Sequence, residues 1–158
     1  MLQPGDLAPD FDTPLLIGGV KKQFRLSDHR GKENLVLAFY PVNWERISAQ
    51  QMVAYQVERE KFVQRQAEIV TISVDHIMST TSWEREIGPF DFLMCSDFWP
   101  HGKVSSLYGV LREVDPLAGA SDRAIFVVNK AGKIIFSRAY ALDELPDMNE
   151  TLDILPRP

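Results

Sequence analysis

An unbroken apolar run, Leu35-Val-Leu-Ala-Phe-Tyr40, has strand length and no polar alternation, which predicts a central strand buried on both faces. Pro41 ends it. Further along, Ser48 with Gln51 makes a Ser-x-x-Gln capping box, predicting a helix from about Ser48 to about Gln66. Met52, Tyr55, Phe62 and Val63 fall on its inward stripe, and Glu58, Arg59, Lys61 and Gln64 face outward. The β-branched run Ile69–Val74 is a second strand, and a helix between the two makes a βαβ unit with parallel strands. The segment from Pro41 to Ser48 then lies at the carboxyl end of a central strand, where open α/β sheets keep their chemistry.

On the amino-terminal side, Pro4-Gly5, Pro9-Asp10 and Thr13-Pro14 keep any strands short, and Gly18-Gly19 between Leu15-Leu-Ile17 and Val20 closes a small hairpin. On the other side, Ser79-Thr-Thr-Ser82 offers N-cap residues to a short helix carrying Trp83 and Ile87, which Gly88-Pro89 ends. Phe90–Cys95 is a further apolar stretch. Val104, Leu107 and Tyr108 have the spacing of another short helix, closed by Gly109, and Arg112–Asp122 reads as a loop. Ile125–Val128 and Lys133–Phe136 flank Asn129-Lys-Ala-Gly132 as an antiparallel hairpin, and Pro146-Asp147 begins a last helix through Leu152 and Leu155. With 158 residues, 45% of them hydrophobic, a single domain spanning 1–158 around one core is expected.

Charge narrows the partners. The 17 Lys+Arg against 22 Asp+Glu give a net charge of −5, and no basic run is present to neutralise a row of phosphates, so nucleic acid is not an expected partner. No apolar run approaches the ~20 residues that span a bilayer, and Met1-Leu-Gln-Pro-Gly-Asp6 lacks a leader pattern; a soluble cytoplasmic protein with no membrane partner is expected. The single cysteine, Cys95, excludes an internal disulfide and, beside Phe92, Leu93 and Met94, reads as a buried inert thiol. His29, His76 and His101 show no ligand spacing, and no metal or cofactor is expected.

Phe39-Tyr-Pro41 followed by Ser48 resembles the peroxiredoxin signature Pro-x-x-x-Thr/Ser-x-x-Cys, with Pro41 at the proline, Glu45 at the Thr/Ser and Ser48 at the peroxidatic cysteine. Leu93–Gly102 with Tyr108-Gly-Val110 resembles the one-cysteine, alkyl-hydroperoxide-reductase-E-like branch, and Asp122–Val128 resembles the strand whose opening arginine serves the active site. Gly5–Phe11 and Leu26-Ser-Asp28 complete a set of matches in family order. The resemblance to the AhpC/TSA peroxiredoxins implies an α/β, thioredoxin-like fold with a mixed central sheet flanked by helices. It implies a thiol-dependent peroxidase acting on hydrogen peroxide or organic hydroperoxides and recycled by an external thiol reductant of thioredoxin, glutaredoxin or mycothiol type. It also implies a homodimer formed through loops near the active site, for which Trp44, Trp83 and Phe98-Trp99-Pro100 supply aromatic surface. The same resemblance gives roles to Arg123, which stabilises charge at the nucleophile, to Pro41, which shields it, and to Glu45, which lines the pocket and is able to pair with Arg123.

Serine at position 48 changes the chemistry. A thiolate attacks a peroxide oxygen because sulfur ionises near neutral pH and carries the new oxygen as a sulfenic acid. A serine hydroxyl stays protonated and has no equivalent oxidation state, so the chain as written is expected to be inactive. A helix amino terminus and an arginine favour a thiolate, whereas a carboxylate at Glu45 opposes it. Two readings stand: a peroxidase whose nucleophile has been replaced by serine, or a natural pseudoenzyme that keeps the pocket for a ligand or partner. On its own residues Ser48 is also an ordinary helix cap.

Overall fold

The computed structural model describes residues 1–158. Seven strands, β1 (Asp12–Ile17), β2 (Val20–Arg25), β3 (Asn34–Phe39), β4 (Ala67–Ser73), β5 (Leu93–Ser96), β6 (Arg123–Val128) and β7 (Ile134–Tyr140), form one sheet in the order β2-β1-β5-β4-β3-β6-β7. β3, β4 and β5 are mutually parallel, and the flanking pairs β5–β1, β1–β2, β3–β6 and β6–β7 are antiparallel, so the sheet is mixed. The helices are α1 (Arg46–Gln64), α2 (Ile77–Ile87), α3 (Lys103–Leu107) and α4 (Met148–Ile154).

Every residue of β3 is buried, as its unbroken apolar run predicts, because helices cover both faces of the sheet. Val36, Ala38 and Tyr40 pack with Met52, Tyr55 and Phe62 of α1, Trp83 of α2 and Leu152 of α4. Leu35, Leu37 and Phe39 alternate to the opposite face, where they meet Val104, Tyr108, Phe11 and Leu26. The β1–β2 turn carries Gly18 and Gly19 at φ 57° and 74°, the doubly positive geometry that a two-residue hairpin requires and that side chains resist.

Four local expectations are corrected. α1 starts at Arg46, with Glu45 as the N-cap residue: the Glu45 carboxylate accepts from the Ile47 and Ser48 N–H groups, and Gln51 turns away from the cap. Val63 is exposed, because the inward stripe passes through Phe62 and the helix ends at Gln64. α2 is capped by the His76 ring, which accepts from the Met78 N–H at 3.1 Å, so the Ser79–Ser82 run lies inside the helix; there Trp83 is buried and offers no surface aromatic.

Candidate functional site

The end of β3 and the start of β6 lie side by side at one edge of the α1 face, and two polar tethers fix the connection between β3 and α1. The Ser121 hydroxyl donates to the Tyr40 carbonyl at 3.0 Å, tying the approach to β6 to the exit from β3. Buried Asn43 accepts from the Tyr40 hydroxyl at 2.7 Å, gives its backbone N–H to Asp75 at 2.9 Å, and donates from its amide to Ser79 and Thr80. Trp44 follows with φ 74°, a left-handed conformation costly for a bulky side chain, and leaves its indole 56% exposed. Pro41 is buried in the same connection.

Arg123, the first residue of β6, is fully buried, and a guanidinium in that position needs a partner for each of its five N–H bonds. Each is met. Nε and Nη2 donate to the Leu142 carbonyl at 3.2 and 2.7 Å, Nη2 also donates to Glu45 Oε1 at 2.5 Å, and Nη1 donates to Ser48 Oγ at 3.2 Å and Gln51 Oε1 at 3.0 Å. Ser48 Oγ, itself fully buried in the first turn of α1, donates to the same Glu45 oxygen at 3.1 Å. The residues singled out in the sequence are thus brought together in three cases: Ser48, Glu45 and Arg123 form one hydrogen-bonded ring. Pro41 makes no polar contact with it.

The electrostatics of the ring follow from these contacts. Burial pushes the Glu45 carboxyl up, but the Ile47 N–H, the Arg123 guanidinium and the Ser48 hydroxyl together outweigh it and hold Glu45 below the usual carboxylate range. Burial also lowers Arg123, and Glu45 offsets part of that effect. Behind the ring, the Gln51 Nε2 and the Tyr55 hydroxyl are buried without partners, one turn apart on α1. Gln51 reached the site unannounced, because the capping pattern assigns its side chain elsewhere. No group of three or more His, Cys, Asp or Glu side chains converges to hold a metal ion.

A model of the AhpC/TSA family matches residues 4–137. The chain belongs to the AhpC/TSA peroxiredoxin family. Alkyl hydroperoxide reductase E of Mycobacterium tuberculosis is 32% identical over 155 residues, covering 98% of this chain and 97% of the relative. Peroxiredoxin tpx1 of Schizosaccharomyces pombe is 30% identical over 163 residues, covering 98% and 80%. Among solved structures, the reduced 2-Cys peroxiredoxin of Plasmodium vivax superposes with a TM-score of 0.88 at 22% identity, over 96% of this chain and 79% of its own. Mycobacterium tuberculosis AhpC gives 0.85 at 24% identity, over 98% and 96%. These structures establish the peroxiredoxin version of the thioredoxin-like fold, with its mixed sheet between helices.

Within this peroxiredoxin the only thiol is far from ionising. Cys95 is fully buried at the centre of β5, and burial pushes it up to about 12. The exposed aromatic side chains are Trp44, Phe98 at 44% and Trp99 at 81%. No helix is long and apolar enough to cross a membrane.

Proposed function

We propose that this chain is a thiol-peroxidase scaffold whose nucleophile position is held by Ser48, so that the chain as written does not turn over peroxide. One observation carries the reading: Ser48 Oγ lies 3.2 Å from Arg123 Nη1 in the first turn of α1, where the family signature sets its cysteine. In the reaction of the family, a thiolate there attacks one peroxide oxygen, forming an S–O bond as the O–O bond breaks. The displaced oxygen leaves as water or alcohol after taking a proton, and the sulfur becomes a sulfenic acid. Arg123 stabilises the charge at both the sulfur and the departing oxygen, and Pro41 and Glu45 line the approach. An external thiol reductant of thioredoxin, glutaredoxin or mycothiol type then restores the thiol, since the one cysteine present is sealed in the core.

The working unit in this reading is a single domain acting in the cytoplasm as a homodimer, with Trp44, Phe98 and Trp99 supplying the contact surface. A second reading, a pseudoenzyme that keeps the pocket for binding, is favoured by Glu45. Its carboxylate already takes up both the helix-terminal N–H groups and the guanidinium that a thiolate needs.

Restoring the nucleophile separates the two. Ser48→Cys paired with Glu45→Thr is expected to gain one oxygen at position 48 on exposure to hydrogen peroxide, read by mass spectrometry, and Ser48→Cys alone to gain it more slowly, whereas the parent chain gains none there. If neither variant outpaces free cysteine with the fold intact, the binding module is the better description.

A further inference from the structure

The ring around Arg123 has one cation, and its hydrogen-bonded neighbours include one formal anion, Glu45; Ser48, Gln51 and the Leu142 carbonyl are neutral. Two other titratable groups face Arg123. Asp143, in the segment between β7 and α4, acts through space without a hydrogen bond, and Tyr55 on α1 stays a neutral phenol because burial raises it. The backbone N–H groups of Ile47 and Ser48, which are the positive end of α1, also point at the Glu45 carboxylate. An anion placed at Ser48 Oγ would sit 3.1 Å from Glu45 Oε1, a separation at which two negative charges do not both persist.

We propose that this centre is built for a single negative charge, that Glu45 now supplies it, and that a thiolate at position 48 and the Glu45 carboxylate are alternative counter-ions of Arg123. Resting on the reading of Ser48 as the nucleophile position, it makes Glu45 a second block on peroxide chemistry, independent of the serine. Threonine, one of the two residues usual at this point of the signature, brings no charge. It returns to position 48 the helix-terminal N–H groups and the Nη2 donor that Glu45 occupies. The exchange is balanced: one carboxylate leaves and one thiolate takes its place, so the buried guanidinium keeps a counter-charge.

The test measures thiol ionisation by the ultraviolet absorbance of the thiolate against pH, in Ser48→Cys and in Ser48→Cys/Glu45→Thr. Cys95 stays silent in both because its thiol ionises only near pH 12. The double variant is expected to show an ionisation constant at least about tenfold larger than the single variant, a shift of one unit or more. A conservative companion, Ser48→Cys/Glu45→Gln, is expected to follow the double variant, since charge rather than size is at issue. Equal ionisation in single and double variants overturns the proposal, as does a single variant whose thiol is already more acidic than free cysteine. If that single variant also consumes peroxide, the peroxidase reading survives while this one fails. An acidic thiol in the double variant that is nonetheless inert to peroxide gives the reverse: the counter-ion exchange holds and the peroxidase reading falls. A double variant that fails to fold even at a pH where its thiol is fully ionised also overturns the proposal, because the thiolate would then not have replaced the carboxylate.

Discussion

Glu45 caps α1, pairs with Arg123 and accepts from Ser48, and these tasks set its contribution to stability. Its folded-state pKa lies below its ordinary value of 4.5, so its stabilisation is fully present above that pH and is lost as pH falls through the folded-state value. Removing the carboxylate leaves the fully buried Arg123 without its hydrogen-bonded counter-charge. Glu45→Gln is therefore expected to cost about 3–5 kcal/mol near neutral pH, read from urea denaturation. The difference from the parent should shrink steadily below pH 4.5. The meeting of Glu45 with Arg123 was legible in the sequence through the signature and the opposite charges. The part played by Leu142 was not, because a backbone carbonyl carries no residue-type signal, and Gln51 was hidden by a capping pattern that explained it otherwise. At the same scale, Cys95 is expected to resist aromatic disulfide reagents in the native protein and to react only as fast as the molecule opens, since its thiolate is scarce until near pH 12.

Among the elements, strands were read more accurately than helix starts. β3, β4 and the β6–β7 hairpin declare themselves by apolar runs and a turn signal, whereas a cap is a choice among several competent residues within one turn. Glu45 prevailed over Ser48 because its longer side chain folds back on two N–H groups while its other bonds reach Arg123. His76 prevailed over Ser79 because Ser79 and Thr80 are drawn to Asn43. The connection held by Asn43 stores strain at Trp44, whose φ of 74° suits glycine better than tryptophan. Trp44→Gly is expected to be neutral or stabilising by up to about 1 kcal/mol, with glycine's chain entropy offsetting part of the relief, and Trp44→Val destabilising by about 1 kcal/mol. Equilibrium denaturation of the two variants beside the parent reads the difference; a destabilised glycine variant would show that the indole's own contacts outweigh the backbone.

For the whole molecule, the burial of β3 on both faces followed from its unbroken apolar run, but the division of the expected single core into one cluster on each face of the sheet, and the order of strands across it, did not. Antiparallel addition of β6 to β3 and of β1 to β5 joins segments far apart in the chain, and periodicity is blind to such partners. Association belongs to this scale as well. With Trp83 withdrawn into the core, the exposed aromatics are Trp44, Phe98 and Trp99, and sedimentation at micromolar concentration is expected to find twice the 18.0 kDa chain mass. Trp99→Ser should shift that population toward the single chain.

The strand β3, paired on both sides and buried on both faces, also sets a clock. Its amide protons are each bonded to β4 or β6 and covered by the core on both faces, so Val36 to Phe39 should exchange deuterium at the rate of global opening, while edge strand β2 exchanges through local fraying. Since the ring around Arg123 hangs from the end of β3 and the first residue of β6, its residence time should match theirs. Exchange at the Ser48 amide, followed by nuclear magnetic resonance, should accordingly lag with β3 and not with the exposed turns beside it.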